Sequence, residues 1–297
     1  MKIKDIKVDD ILYDMTGKTY VVRKIYRYFA AEIEYDGKTT KMYPQFIDPL
    51  MSKKAYQEYK IQKELRIKKQ QEERLKLAEK EKLLRKQKLE QEKIQEAKDK
   101  ETLLILLEKF GFVGFLHTAN FNNFVNIYKS NLLKSRNQLL NEGFKFVDNA
   151  ETSVLEHTNE NIKSKVRFYY RPITPTNYSA YMWHNQKNPV MLIFDKNLIF
   201  EEDVSFCDGC AGSSSTTETK KAKNALNFNW EEIFSTGPFN NDDFIKKNHR
   251  NAEFLTASPV SVNKATKICF RNYEDYVKAC KLFGQDSRFK YNPKLFC

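Results

Sequence analysis

The chain has 297 residues and a formal net charge of +12, with a sequence pI near 9.2. That is room for two domains or one large one, and the charge favours a polyanionic partner, nucleic acid first. No apolar run approaches the roughly 18 residues of a membrane span, and Met1-Lys2-Ile3-Lys4-Asp5 lacks the apolar core of a leader, so no membrane association is expected. The 5 cysteines are few and odd in number, which suits a reducing cytoplasm better than a disulfide framework.

From the N-terminus, Ile11-Leu12-Tyr13 and Tyr20 to Ile25 read as strands around a Met15-Thr16-Gly17-Lys18 turn. Ala31 to Tyr35 and Thr39 to Tyr43 flank Asp36-Gly37, a strong hairpin signal. These short alternating strands predict a small all-β SH3-like barrel over residues 1–50. Such barrels bind peptides or nucleic acid about as often as they only support a neighbour, so its role stays open.

Residues 52 to 109 contain neither Gly nor Pro and are rich in Lys, Glu, Gln and Leu, all good helix formers. Ile61, Leu65, Leu75, Leu84, Leu89 and Ile94 are too sparse for a strict heptad, while Glu64/Lys68 and Glu72/Lys76 sit at helical pairing distance. A long charged helix over 51–109 follows, with three uses: a solvated spacer, a coiled coil for self-association, or a basic rod along phosphates. Its apolar end, Leu103 to Leu107, predicts a docking segment, stopped by Gly111 and Gly114.

Beyond it, Phe121 to Leu133 has helical periodicity. Val166 to Tyr170 and Val190 to Phe194 read as buried strands, Gly209 to Thr219 as a flexible loop, and Trp230 to Phe234 as a short helix. Thr266 to Phe270 reads as a late strand and Asn272 to Phe283 as a final helix. The order gives an α+β domain over 110–297 rather than a doubly wound sheet. Neither a dinucleotide-binding glycine fingerprint nor a P-loop is present. Cys207-Asp208-Gly209-Cys210 has no second cysteine pair to complete a zinc site and opens a loop rather than a helix, so no metal is expected.

The segments that stand out are Phe115-Leu116-His117-Thr118, Val166-Arg167-Phe168-Tyr169-Tyr170-Arg171-Pro172, Asn227-Phe228-Asn229-Trp230 and His249-Arg250-Asn251-Ala252-Glu253-Phe254-Leu255. In this order they resemble the DarT family of NAD-dependent ADP-ribosyltransferases, toxins that modify nucleic-acid bases. The resemblance covers about Leu103 to Cys297 and implies an ADP-ribosyltransferase-like fold with NAD as co-substrate. It makes Glu253 the catalytic carboxylate, where the residue alone reads rather as an exposed strand-end glutamate. It places His117, Thr118, Asn123 and Tyr169 in the NAD pocket, although His117 by itself could be a satisfied core histidine, and strand alternation leaves open which of Tyr169 and Tyr170 borders the ligand and which packs in the core.

The match is imperfect on the base-reading side. Thr118 follows His117 directly, leaving Ala119 where the family has threonine, and Cys210 stands where it has histidine. No arginine lies between Arg136 and Arg167, where the family places one; His157, Lys163 and Lys165 are the cations available. Substrate contacts are therefore expected from His157, Arg167, Lys220 and Lys221, the lysines lying on a target loop from Gly209 to Lys223. The expected target is a base in single-stranded DNA, with RNA as the alternative; single strands expose the base edge without a flipping cost. A macrodomain-type antitoxin is the implied partner. Two rival readings remain: a non-catalytic adaptor working through barrel and helix, and transfer to protein.

Overall fold

The computed structural model describes residues 5–26, 30–47, 50–147, 158–182, 188–238 and 243–296. The chain divides into two compact units, Met1–Leu89 and Glu90–Cys297.

In the first unit β1 (Ile11–Tyr13), β2 (Thr19–Tyr26), β3 (Ala30–Tyr35) and β4 (Lys38–Met42) form an antiparallel meander. A helical turn, α1 (Pro44–Ile47), leads to β5 (Met51–Ser52), which returns to pair with β1. The β3–β4 turn falls at Asp36-Gly37, both with positive φ as a tight two-residue hairpin requires. Leu12, Val22, Ala31, Ile33, Ile47 and Leu50 make a small apolar core. The sheet order is β4-β3-β2-β1-β5. No β4–β5 ladder closes it into a barrel among the described residues.

Helix α2 runs unbroken from Lys53 to Lys109. Its only buried residues are Leu103 and Leu107, which join the core of the second unit. The predicted docking end is therefore where the helix meets a core. Ile61, Leu65, Leu75, Leu84 and Leu89 are all exposed.

The second unit is built on β6 (Phe115–Asn120), β7 (Leu132–Leu133), β8 (Val166–Tyr169), β9 (Pro189–Phe194), β10 (Val204–Cys207), β11 (Glu218–Thr219), β12 (Glu253–Thr256), β13 (Val260–Ser261), β14 (Ala265–Phe270) and β15 (Phe289–Tyr291). Eight of these form one mixed sheet in the order β11-β10-β12-β8-β6-β9-β14-β15; only β14 and β15 run parallel. Strands β7 and β13 pair separately. The helices are α3 (Phe121–Ser130), α4 (Arg136–Asn141), α5 (Glu160–Lys163), α6 (Pro175–Met182), α7 (Ala222–Ala225), α8 (Trp230–Phe234), α9 (Phe244–Arg250) and α10 (Tyr273–Phe283). This is the mixed α/β arrangement expected of 110–297.

Alternation along the strands assigns the two sheet faces. Phe115, Phe168, Phe194, Phe254 and Phe270 turn to the main core with Leu103, Leu107 and Phe124. Leu116, Met191, Ile193 and Cys269 turn to the other side, under Tyr181 and Phe296. Gly114 admits the chain into β6 at φ 142°, where a Cβ would collide with the Phe194 carbonyl.

Two local expectations need correction. The helix predicted over Phe121 to Leu133 stops at Ser130. Asn131 takes a left-handed conformation (φ 54°) and its N–H bonds the Tyr128 carbonyl, a C-terminal stop that periodicity does not reveal. The loop predicted to be flexible from Gly209 is held by side chains. Asn248 Oδ1 accepts from Cys210 N (3.1 Å), and Asn248 Nδ2 donates to Thr216 Oγ1 (3.0 Å). Gly209 packs so tightly on Asn248 that a Cβ there would overlap its amide.

Candidate active site

The site forms where β6 and β8 part company. The two strands share a single register pair, Leu116 opposite Tyr169, and beyond it a cavity of about 240 Å³ opens between the end of β6, α3, α4 and the approach to β8. His117, Asn123, Lys134, Lys145, Lys165 and Arg167 are among its walls.

Strand β12 pairs with β8 so that Glu253 faces Tyr169 and Leu255 faces Arg167. Glu253 and Arg167 are thus diagonal neighbours on one face, close enough for long side chains to meet. They meet as a fork: Arg167 Nη2 lies 2.7 and 2.8 Å from the two Glu253 oxygens, and Nε lies 3.2 Å from each. Ala211 N donates to Glu253 Oε2 at 2.8 Å, and Arg167 Nη2 approaches Cys210 Sγ at 3.6 Å. The Glu253 side chain is 2% exposed and that of Arg167 32%. Burial opposes the arginine's charge, but Glu253 outweighs it and holds the guanidinium protonated. Burial first, and then the Glu253 charge, push the Tyr169 hydroxyl and the Cys210 thiol upward, so both are neutral at ordinary pH.

His117 Nδ1 lies 3.0 Å from the Arg167 carbonyl oxygen. A carbonyl has no proton to give, so Nδ1 carries it. Burial lowers the imidazole pKa, with the carbonyl bond only partly opposing. The ring is therefore neutral, with Nε2 a bare acceptor. Arg167 thus touches two functional groups at once, His117 through its backbone and Glu253 through its side chain.

The other predicted residues sort by geometry. Asn123 is clipped to the cavity wall: its Nδ2 donates to the Val147 carbonyl (2.8 Å) and its Oδ1 accepts from Val147 N (2.9 Å). Thr118 Oγ1 accepts from Tyr181 Oη at 3.2 Å and Asn177 Nδ2 at 3.5 Å. Tyr170 is buried against Phe112, Phe115 and Trp230, which leaves Tyr169 as the tyrosine on the Glu253 face. Lys220 pairs with Asp203 at 3.7 Å and Lys221 with Glu96 at 3.9 Å; neither lines the cavity. His157 lies outside the described residues. Sequence reasoning did not anticipate Ala211, whose N–H holds the carboxylate, or Asn248, which holds the loop carrying Ala211. His249-Arg250 beside Glu253 was the nearest signal, since α9 delivers both ends. Among the described residues no group of three or more His, Cys, Asp or Glu is placed to hold a metal, and no helix is long and apolar enough to cross a membrane.

Comparison with curated protein sequences finds none that matches. Among solved structures, DarT from Thermus sp. 2.9 in complex with ADP-ribosylated ssDNA superposes with a TM-score of 0.53 at 15% identity, covering 62% of this chain and 95% of that one. DarTG from Thermosipho africanus in complex with ADP-ribose gives 0.53 at 14% identity, covering 61% of this chain and 50% of that one. At such identities the likeness is one of fold. The family model described as ssDNA thymidine ADP-ribosyltransferase, DarT, matches residues 116–296. With most of the chain so matched, and an arginine-bound glutamate beside a cavity lined by a neutral histidine, this protein belongs to the DarT family of NAD-dependent ADP-ribosyltransferases that modify single-stranded DNA.

Proposed function

We propose that the chain transfers ADP-ribose from NAD to a thymine base in single-stranded DNA with Glu253 as its catalytic carboxylate. The observation that carries this reading is the position of Glu253 at the head of β12, opposite Tyr169 and beside the cavity that holds His117. In the reaction the C1′–nicotinamide bond breaks, its electron pair leaves with nicotinamide, and the base bonds to C1′ while its proton departs. The transition state carries positive charge on the ribose, which a nearby carboxylate stabilises. In-line placement of the base supplies much of the remaining acceleration.

The geometry supports the following residue roles in this reading. His117 accepts a hydrogen bond from a ribose hydroxyl or the nicotinamide amide through Nε2, and Tyr169 borders the nicotinamide ring. Asn123 fixes the wall rather than touching NAD, and Thr118 braces β6 against α6. Arg167 contacts substrate phosphate. Lys134, Lys145 and Lys165 line the cavity; Lys134 is paired with Glu142 and Lys165 with Glu218, and a dinucleotide diphosphate would compete with those carboxylates for them. Lys220 and Lys221 guide the strand from outside the cavity.

The N-terminal meander with its returning β5 is an SH3-like open barrel in this reading. The stretch of α2 from 53 to 88 carries 14 basic and 6 acidic residues, an excess suited to the phosphates of the substrate strand. Self-association through Ile61, Leu65, Leu75 and Leu89 is the competing use of that surface, and sedimentation of the full chain with and without oligonucleotide separates the two. A macrodomain partner that removes ADP-ribose would complete a toxin–antitoxin system.

The test is transfer of labelled ADP-ribose from NAD to single-stranded DNA and RNA oligonucleotides of varied base content, with Glu253→Gln alongside. Label confined to thymine-containing DNA and lost in the variant supports the proposal. Label on RNA, on protein, or equally in the variant overturns it.

A further inference from the structure

Glu253, the residue with the chemistry, does not line the cavity; Arg167 does. Both carboxylate oxygens are engaged by the guanidinium, and Oε2 also by the Ala211 N–H. Of the two partners, the arginine is therefore the one that meets the cavity. A guanidinium is a planar cation bound where the carboxylate would meet the positively charged ribose of the transition state. While it stays there, the carboxylate's charge is already matched and a second cation beside it is opposed. One donor of Arg167, Nη1, makes no hydrogen bond among the described residues. It is an unused cationic N–H on a side chain one third exposed at the cavity wall, and phosphate oxygens compete with carboxylates for such a fork.

We infer that Arg167 is a specificity-determining latch on Glu253: it holds the carboxylate matched until a polynucleotide phosphate takes the guanidinium, so that NAD is cleaved onto DNA and not onto water. The wasteful reaction is hydrolysis. Water oxygen bonds to C1′, the C1′–nicotinamide bond breaks with its electron pair going to nicotinamide, and the water proton passes to buffer. Hydrolysis needs the carboxylate but no polymer, so an enzyme whose carboxylate stood free would consume NAD without DNA. The phosphate that opens the latch could come from the strand or from the NAD diphosphate. The inference commits to the strand, because a latch opened by NAD would give no protection.

This rests on the proposed transfer to single-stranded DNA, and the experiment keeps the two apart. Full-length wild type, Arg167→Gln and Arg167→Lys are compared for nicotinamide release from NAD alone, with thymidine nucleoside, and with a thymine-containing oligonucleotide, while label on the oligonucleotide is counted in the same tubes. Thermal melting and NAD binding report folding; Arg167→Lys keeps the charge if Arg167→Gln does not fold. The expected result is little release by wild type from NAD alone or with nucleoside, and release matched by label with the oligonucleotide. In the variants the ratio of polymer-independent release to transfer rises at least ten-fold. An unchanged ratio in folded variants, including loss of both reactions together, overturns the latch and makes Arg167 a simple support for Glu253. Rapid wild-type release from NAD alone overturns it too. Absence of wild-type label on DNA strikes instead at the proposed function.

Discussion

The β8–β12 strand pair and the solvated stretch of α2 are opposites. In the first, the two Glu253 oxygens, the Arg167 fork and the Arg167 carbonyl all have named partners, and Glu253 is nearly sealed from water. In the second, from Lys53 to Lys93, no described side chain is buried. On the proposed function the strand pair acts through the placement of individual side chains, so single substitutions there should be decisive. Function in the helix can reside only in the sum of its charge and in its continuity, so no single residue should matter. The teaching is that one chain holds a site read residue by residue and a surface read only in aggregate.

The sharpest way to break this contrast is Glu253→Gln. Transfer of labelled ADP-ribose to an oligonucleotide should fall on the order of 10³-fold while NAD still binds; retained activity would remove Glu253 from the chemistry. Next is Leu107→Ala at the buried end of α2. It should cost about 2–5 kcal/mol by chemical denaturation, whereas Leu75→Ala on the same helix, fully solvated, should stay within about 0.5 kcal/mol. Equal effects would dissolve the distinction between the two ends of α2.

Smaller in size is the pH dependence set by His117. Burial places its pKa below the ordinary 6.5, and the neutral ring is the competent form. Protonation is disfavoured in the folded state. Its contribution is therefore present above pH 6.5 and lost as pH falls through the lowered folded value. The acid limb of kcat/KM should lie below pH 6.5 and should vanish in His117→Gln; a limb at or above 6.5 would mean that burial does not depress the imidazole pKa in the working enzyme. Smallest per residue is the helix surface. Replacing Lys63, Lys68, Lys76 and Lys80 together by Gln should reduce the slope of log affinity for single-stranded DNA against log salt by about 0.7 for each cation that met phosphate. Melting should be unchanged, and each single replacement should fall below detection.

The sequence exposes much of this and hides the rest for identifiable reasons. The run without Gly or Pro after Ser52 is a helix, and Asp36-Gly37 is a hairpin, because those signals are local. Glu253 and His117 were legible only through the resemblance of several segments in order, since a glutamate at a strand head has no signature of its own. The Arg167–Glu253 fork spans 86 positions and exists only through the register of β8 on β12, which no local pattern encodes. Alternation in Val166–Tyr170 puts Tyr169 and Tyr170 on opposite faces, but the assignment of Tyr170 to the core comes only from its packing on Trp230. Asn123 was expected at the ligand because it stands in the right motif. Its amide offers the N–H and C=O of a peptide group, and it turns one of each to the Val147 backbone.

That last arrangement ties part of the cavity wall to a single side chain. The wall at Val147 is fastened to α3 by an imitation of one rung of a β-ladder, without a disulfide or a buried anchor at that residue. Two such hydrogen bonds contribute about 1 kcal/mol each, a small tie beside the packed sheet it adjoins. One substitution therefore reaches the wall without touching Glu253 or Arg167: Asn123→Asp would set an oxygen against the Val147 carbonyl and loosen that tie.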